Sequence, residues 1–314
     1  MCLGLVCCLS IKTEQKVTPI KPLTKASFGQ AEQTGTIVAQ EISEASGLAV
    51  SFQDPDILWI INDSGNPPVL FAVRKTGQLM ASYTIVGAKN RDWEDLAAFT
   101  LHGTPYLIIA DTGDNRATRD VCSLYIIKEP TLPAHSLRTR QQAHFQYQIR
   151  FRYANGPRDC EAVAVDARQQ TILLLTKRTS PPLVYELPFE RPPDQEIVTA
   201  QKIATLPTIP PPTTQDLLTK YGQYRSQPTA MDISQDGNVF IVLTYKDAYS
   251  FRRQSGQTWQ TVLTTTPLQI SLPHPDSGVL KQREALAIDY STGNIFVTSE
   301  QIPAGIFCLQ RQEQ

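Results

Sequence analysis

The sequence predicts an all-β fold, a β-propeller of five blades, from a repeat and from what each copy of it encodes. A sixteen-residue pattern occurs five times without an internal gap, anchored on Leu48, Leu96, Val163, Met231 and Leu286. Each copy reads as a short strand, a turn and a buried strand, and repetition of such a unit is the signature of blades stacked around a channel.

The apolar runs that follow the anchors supply the second strands: Leu58-Trp59-Ile60, Tyr106-Leu107-Ile108, Leu173-Leu174-Leu175, Ile241-Val242-Leu243 and Phe296-Val297-Thr298. Third strands with a central aromatic are predicted at 69–73, 123–127, 183–187, 248–251 and 305–307. More polar, alternating fourth strands are predicted at 79–86, 143–153, 196–204 and 258–264, as half-exposed outer strands require. The fifth repeat lacks a fourth strand of its own. Residues 34–42 read as a strand that completes it and closes the ring, removing exposed sheet edges. Residues 206–226 form a proline-rich insert with a short helix expected at 215–221, and 128–142 a shorter basic one. A sixth blade, the alternative count, has room only around 188–228, where the prolines disfavour it.

A chain of 314 residues with 41% apolar and 19% charged residues has a real core. Repeats running from Leu48 to the end make 34–314 one domain. A net charge of -1 argues against nucleic-acid binding, and no stretch is long and apolar enough to span a bilayer. Residues 1–33 read as an export leader or apolar N-terminus followed by a polar tether. Met1 to Ile11 resembles the apolar core of a signal but lacks its basic flank. A lipid anchor at Cys7 or Cys8 is the alternative attachment, although neither has in front of it the small residue such processing prefers. The expected location is periplasmic, cell-envelope or secreted, with a cytoplasmic location as the alternative. The expected state is a monomer. Cys122, Cys160 and Cys308 remain beyond the leader, an odd number without paired spacing.

Two sets of residues are candidates for a site. Two residues before each anchor stand Ser46, Glu94, Glu161, Thr229 and Glu284, one per blade, converging on the channel mouth. Asp92 and Asp159 lie two residues before ring glutamates. Glu94, Glu161, Glu284, Asp92 and Asp159 form an all-oxygen set that suits Ca²⁺ or another hard divalent cation. The competing reading pairs Glu94, Glu161 and Glu284 with Arg91, Arg158 and Arg283, because uncompensated burial of three like charges is costly. The second set is the repeated turn holding Asn62, Asp63 and Asn66, then Asp111, Asp114 and Asn115. Arg178 and Lys246 take the equivalent place in repeats three and four. A rim acidic on one side and basic on the other suits a small polar or phosphorylated ligand. Signals for covalent catalysis are weak, and Cys160 reads as a small buried residue.

The stretches Glu44–Leu48, Asn62–Pro67, Asp92–Ala97, Ala110–Asn115, Glu129-Pro130, Asp159–Val163, Thr176–Arg178 and Arg283–Ala285 resemble a group of bacterial β-propeller proteins, usually exported and largely uncharacterised. That resemblance implies fold and export but no activity. More distantly the pattern is similar to NHL-type and gluconolactonase/regucalcin-like propellers, which implies a divalent cation in the channel without placing its ligands. Three functions follow as expectations: binding of a small molecule or protein at one rim, metal-dependent hydrolysis of lactones or phosphoesters, and a scaffold using the proline-rich 206–213.

Overall fold

The computed structural model describes residues 27–135, 140–194, 196–274 and 277–312. The expected leader, and the tether up to residue 26, lie outside them. After β1 (Ser27–Ile37), strands β2 (Ala45–Val50), β3 (Ile57–Asn62), β4 (Val69–Arg74) and β5 (Leu79–Val86) form an antiparallel run of four. A second run is β6 (Trp93–Leu101), β7 (Thr104–Asp111), β8 (Cys122–Lys128) and β9 (Gln141–Tyr153). A third is β10 (Cys160–Asp166), β11 (Thr171–Thr176), β12 (Leu183–Pro188) and β13 (Ile197–Thr205). The fourth is β14 (Pro228–Ile233), β15 (Val239–Thr244), β16 (Ala248–Arg252) and β17 (Leu268–Ile270). In the last, β18 (Arg283–Ile288), β19 (Ile295–Ser299) and β20 (Ala304–Gln312) are followed by β1, antiparallel to β20.

The outer edges differ from independent blades. The 13-residue β9 pairs in parallel with β5 at one end and with β13 at the other, merging three runs into one twelve-stranded sheet. No sheet closes on itself among the described residues. The first strands nevertheless pack in succession, β2 on β6, β6 on β10, β10 on β14, β14 on β18 and β18 on β2. Five apolar clusters form the core, each between two neighbouring runs; one joins Ile37, Leu48 and Phe71 to Ala285 and Ile306.

Two strand expectations are corrected. The closing strand begins at Ser27 and ends at Ile37, so part of the expected tether is sheet. Residues 258–264 hold no strand but a helix, α2 (Trp259–Val262); the outer strand of that run is the three-residue β17. Thr258 caps the helix by accepting from the Thr261 amide, the arrangement favoured by a threonine at that position. Trp259 fixes it further, buried against Phe240 with its indole N–H donating to Asp166 at 2.9 Å. In the insert the helix, α1, spans Thr214–Leu217 and a 3-10 turn covers Gly222–Tyr224.

Buried carboxylates tie neighbouring runs together. Glu129 accepts from Ser51, the Phe52 amide and the Trp59 indole, locking the second run to the first. Asp95 accepts from the Leu96 and Val163 amides, both at 2.8 Å, and from Met231. Asp232 accepts from Ile233 and Ile288. The Asp232 residue keeps a partly exposed edge, but its carboxyl is walled in, and burial pushes its pKa up to about 7 against the pull of the two amides.

A carboxyl with a raised folded-state pKa stabilises fully below its unfolded value, about 3.9, and that contribution disappears as pH rises through 7. The wild-type melting temperature should therefore fall between pH 5 and pH 8, and Asp232→Asn should flatten part of the fall. An unchanged slope in the variant would show that Asp232 ionises at its ordinary pH.

Candidate functional site

In all five runs the register of the first strand against the second slips at one residue: between Ala45 and Gly47, Trp93 and Asp95, Cys160 and Ala162, Pro228 and Ala230, and Arg283 and Ala285. The residues left over are Ser46, Glu94, Glu161, Thr229 and Glu284. A β-bulge leaves one residue unpaired and re-aims its side chain, which is how bulges serve sites. The hydroxyls are spent locally, Ser46 donating to the Trp93 carbonyl at 3.1 Å and Thr229 to the Arg283 carbonyl at 2.8 Å. The three glutamates are all buried.

The expected arginine pairing is not found among the described residues. Arg283 donates to the backbone carbonyls of Lys246, Pro273 and Leu280, and Arg158 to those of Pro157 and Asn155. Their place is taken by Lys177, whose ammonium lies 2.7 Å from Glu161 and 3.9 Å from Glu284. Burial works against that charge, but the two carboxylates outweigh it and hold the lysine above its usual pKa. Burial also pushes Glu161 up to about 8, with Lys177 opposing it. Tyr245 donates its hydroxyl to Glu284, and Glu300 hydrogen-bonds the same carboxylate, its own pKa lifted to about 10 by burial and by Glu284.

Lys177, Tyr245 and Glu300 were missed by sequence reasoning. They stand fourteen residues after their anchors, and Lys177 and Tyr245 each directly precede a residue singled out from the repeat, Arg178 and Lys246. The signal was one residue away: each bulge shifts the pairing by one, and a one-residue shift exchanges which side chain faces the site.

Glu94 is different. It is 4% exposed and has no hydrogen bond or ion pair among the described residues. Ligand-capable oxygens of Asp63, Asp92 and Glu94 lie within 4.8 Å of one another, as do those of Glu94, Asp159 and Glu161. Burial first, then Glu161 and Asp63, raise the Glu94 pKa well above the carboxylate range, and burial lifts Asp63 to about 6. Gly113 makes the approach possible: a Cβ there would stand 1.9 Å from Glu94 Oε1 and 2.6 Å from Asp92 Oδ2. Glu284 belongs to neither group of carboxylates, being occupied by Tyr245, Glu300 and Lys177.

The turn residues divide between scaffold and rim. Asp111 forms an ion pair with Arg119 at 2.9 Å, and Asp114 accepts from the Arg119 amide, closing the 111–119 loop on itself. Asn62 donates to the Glu41 carbonyl and Asn66 to the Glu44 carboxylate. Arg178 lies 2.6 Å from Asp159 and also contacts Asn115. Lys246 turns to Asp216 of α1 at 2.7 Å; burial opposes, but the hydrogen bonds from Lys246 and Thr213 lower the Asp216 pKa to about 2. Cys160 is fully buried and burial pushes its thiol up to about 12, so it is no nucleophile.

Beside the carboxylates opens a cleft of about 650 Å³. Its lining is Lys177, Arg178, Arg225 and Lys281, then Tyr221, Tyr224 and Tyr245, with Gln227 and Gln282. Tyr221, Tyr224 and Arg225 come from the 206–226 insert, which the Lys246–Asp216 pair and the Thr213 capping box hold in place.

No protein-family model matches the chain. No curated protein matches it in sequence. Among solved structures it is similar to an auxiliary nutrient binding protein from Bacteroides thetaiotaomicron, at 9% identity and TM-score 0.44, over 95% of this chain and 79% of the other. It is similar also to the PQQ-bound form of an aldose sugar dehydrogenase from Streptomyces coelicolor, at 7% identity and TM-score 0.45, over 93% and 100%. A luciferin-regenerating enzyme matches at 9% identity and TM-score 0.43, over 88% and 94%. Among the described residues no helix is long and apolar enough to cross a membrane.

Removing Lys177 would leave Glu161 and Glu284 buried without their cation. Lys177→Met should cost about 3–5 kcal/mol in denaturant unfolding at pH 8, and less at pH 5, well below the raised pKa of Glu161. A pH-independent cost would show that the lysine contributes packing and not charge.

Proposed function

We propose that this chain is a five-bladed β-propeller, its ring closed by β1 on β20, that binds a small polar ligand at one rim of the channel beside a divalent cation. Supporting the ring are the cyclic packing of first strands and the core cluster shared by the first and last runs. The Lys75–Asp289 ion pair at 2.8 Å ties the same two runs together. The apolar Met1–Ile11 stretch supports export.

One observation carries the cation: Glu94, buried and without a hydrogen bond or ion pair among the described residues, in reach of Asp63, Asp92, Asp159 and Glu161. An ionised carboxylate without a partner is costly to bury, and a bound cation removes the cost. Oxygen donors alone suit Ca²⁺ or Mg²⁺ over softer metals. Asp63, Asp92 and Glu94 are the principal ligands of this reading; Asp159 and Glu161 are shared with Arg178 and Lys177.

A second reading, hydrolysis of a lactone or phosphoester, draws on the position of this cluster next to the cleft. Lys177 and Arg178 line the cleft while contacting Glu161 and Asp159. A cation there would polarise a substrate oxygen and acidify a water.

Metal content and melting temperature with and without chelator test the proposal. One divalent ion per chain is expected, with chelator lowering the melting point, since a ligand bound only by the folded state stabilises it. Glu94→Gln should bind no ion, yet melt close to the chelated wild type, because burial and the neighbouring carboxylates already favour the neutral form of Glu94. No bound ion, together with no response to added Ca²⁺, Mg²⁺ or Mn²⁺, would remove the cation from this reading.

A further inference from the structure

Among the described residues nine line the rim cleft and none of these is acidic, in a protein whose net charge is -1. Four of the nine are cations. Lys177 and Arg178 line the cleft while paired with Glu161 and Asp159, and of the two Arg178 is the more exposed. Lys281 adds an exposed charge to the lining, and Arg225 a buried one that has a partner of its own. The remaining large side chains are three tyrosines, of which Tyr221 is 57% and Tyr224 37% exposed. Exposed aromatic rings beside cations are what a binding surface uses when it needs flat contact area with little entropy to lose. The volume is that of a site for one small molecule, within the usual range of roughly 300–1,000 Å³.

We infer that the cleft recognises a ring-bearing organic anion: a phosphate or carboxylate headgroup on the Lys281–Arg178 side, with a sugar or heteroaromatic ring against Tyr221 and Tyr224. This deepens the rim-binding reading above and rests on it. The insert is the specificity element, because it alone supplies Tyr221, Tyr224 and Arg225. Its place is set by Asp216, which takes the Thr213 amide at 2.8 Å, the Thr213 hydroxyl at 2.6 Å and the Lys246 ammonium at 2.7 Å. Asp216 and Lys246 are therefore positioning residues for the cleft.

The test is calorimetric titration of the full chain with AMP, glucose 6-phosphate and glucuronate, against adenosine, glucose and inorganic phosphate. At least one ring-bearing anion should bind ten-fold or more tighter than its neutral counterpart and than inorganic phosphate. Lys281→Glu should weaken it at least ten-fold, and so should the double change Tyr221→Ala with Tyr224→Ala. Asp216→Asn should weaken it too, while divalent-cation binding stays unchanged. Success with both phosphates but not glucuronate, or the reverse, supports the site and names its headgroup. Equal binding of a neutral parent overturns the anion assignment but leaves rim binding standing. Inorganic phosphate binding as tightly as AMP overturns the ring contact. No binding by any probe, charged or neutral, overturns both the inference and the rim-binding reading.

Discussion

Five β-bulges at the head of the first strands are the constraint on which the rest of the site depends. Each bulge turns one side chain out of the ladder, and three of the five side chains are glutamates. Regular pairing with the same sequence would leave those carboxylates in a different register, apart from one another. Once gathered and buried, they demand compensation, because like charges away from water repel strongly. Lys177 answers for Glu161 and Glu284, and Tyr245 and Glu300 share Glu284 through hydrogen bonds. Glu94 is what this compensation leaves over.

Compensation and recognition use the same residues. Lys177 is at once the counter-charge of the glutamates, a partner of the Tyr245 ring at 5.1 Å, and part of the cleft wall. Arg178 does the same for Asp159. A ligand in the cleft therefore touches cations that are already paired with carboxylates, and the two halves of the site are electrostatically one. The insert reaches this place through a similar economy: Lys246 gives its charge to Asp216 and so fixes the loop that carries two of the tyrosines.

The buried carboxylates Asp95, Asp232 and Glu129 follow another logic. Each accepts backbone or indole N–H groups from a neighbouring run of strands, so burial of the acid is repaid by donors that need a partner themselves. These contacts are directional where apolar packing is not, and they fix how one run sits against the next.

The all-β class, the repeat boundaries and most strands were legible in the sequence, since period-two patterning and turn residues act locally; β5 spans 79–86 as expected. The ring residues were legible too, because a fixed offset from an apolar anchor survives folding. Residues 258–264 were not, since an alternating apolar pattern does not reveal a threonine cap or a tryptophan bound to Asp166 in another run. Nor were Lys177, Tyr245 and Glu300, because a bulge changes which residue faces a site without changing the residue pattern that surrounds it. The sequence by itself determined which side chains are available and how often they recur. Tertiary structure decided which carboxylates meet, which find a cation, and which is left unpaired, because those outcomes depend on distances between strands far apart in the chain.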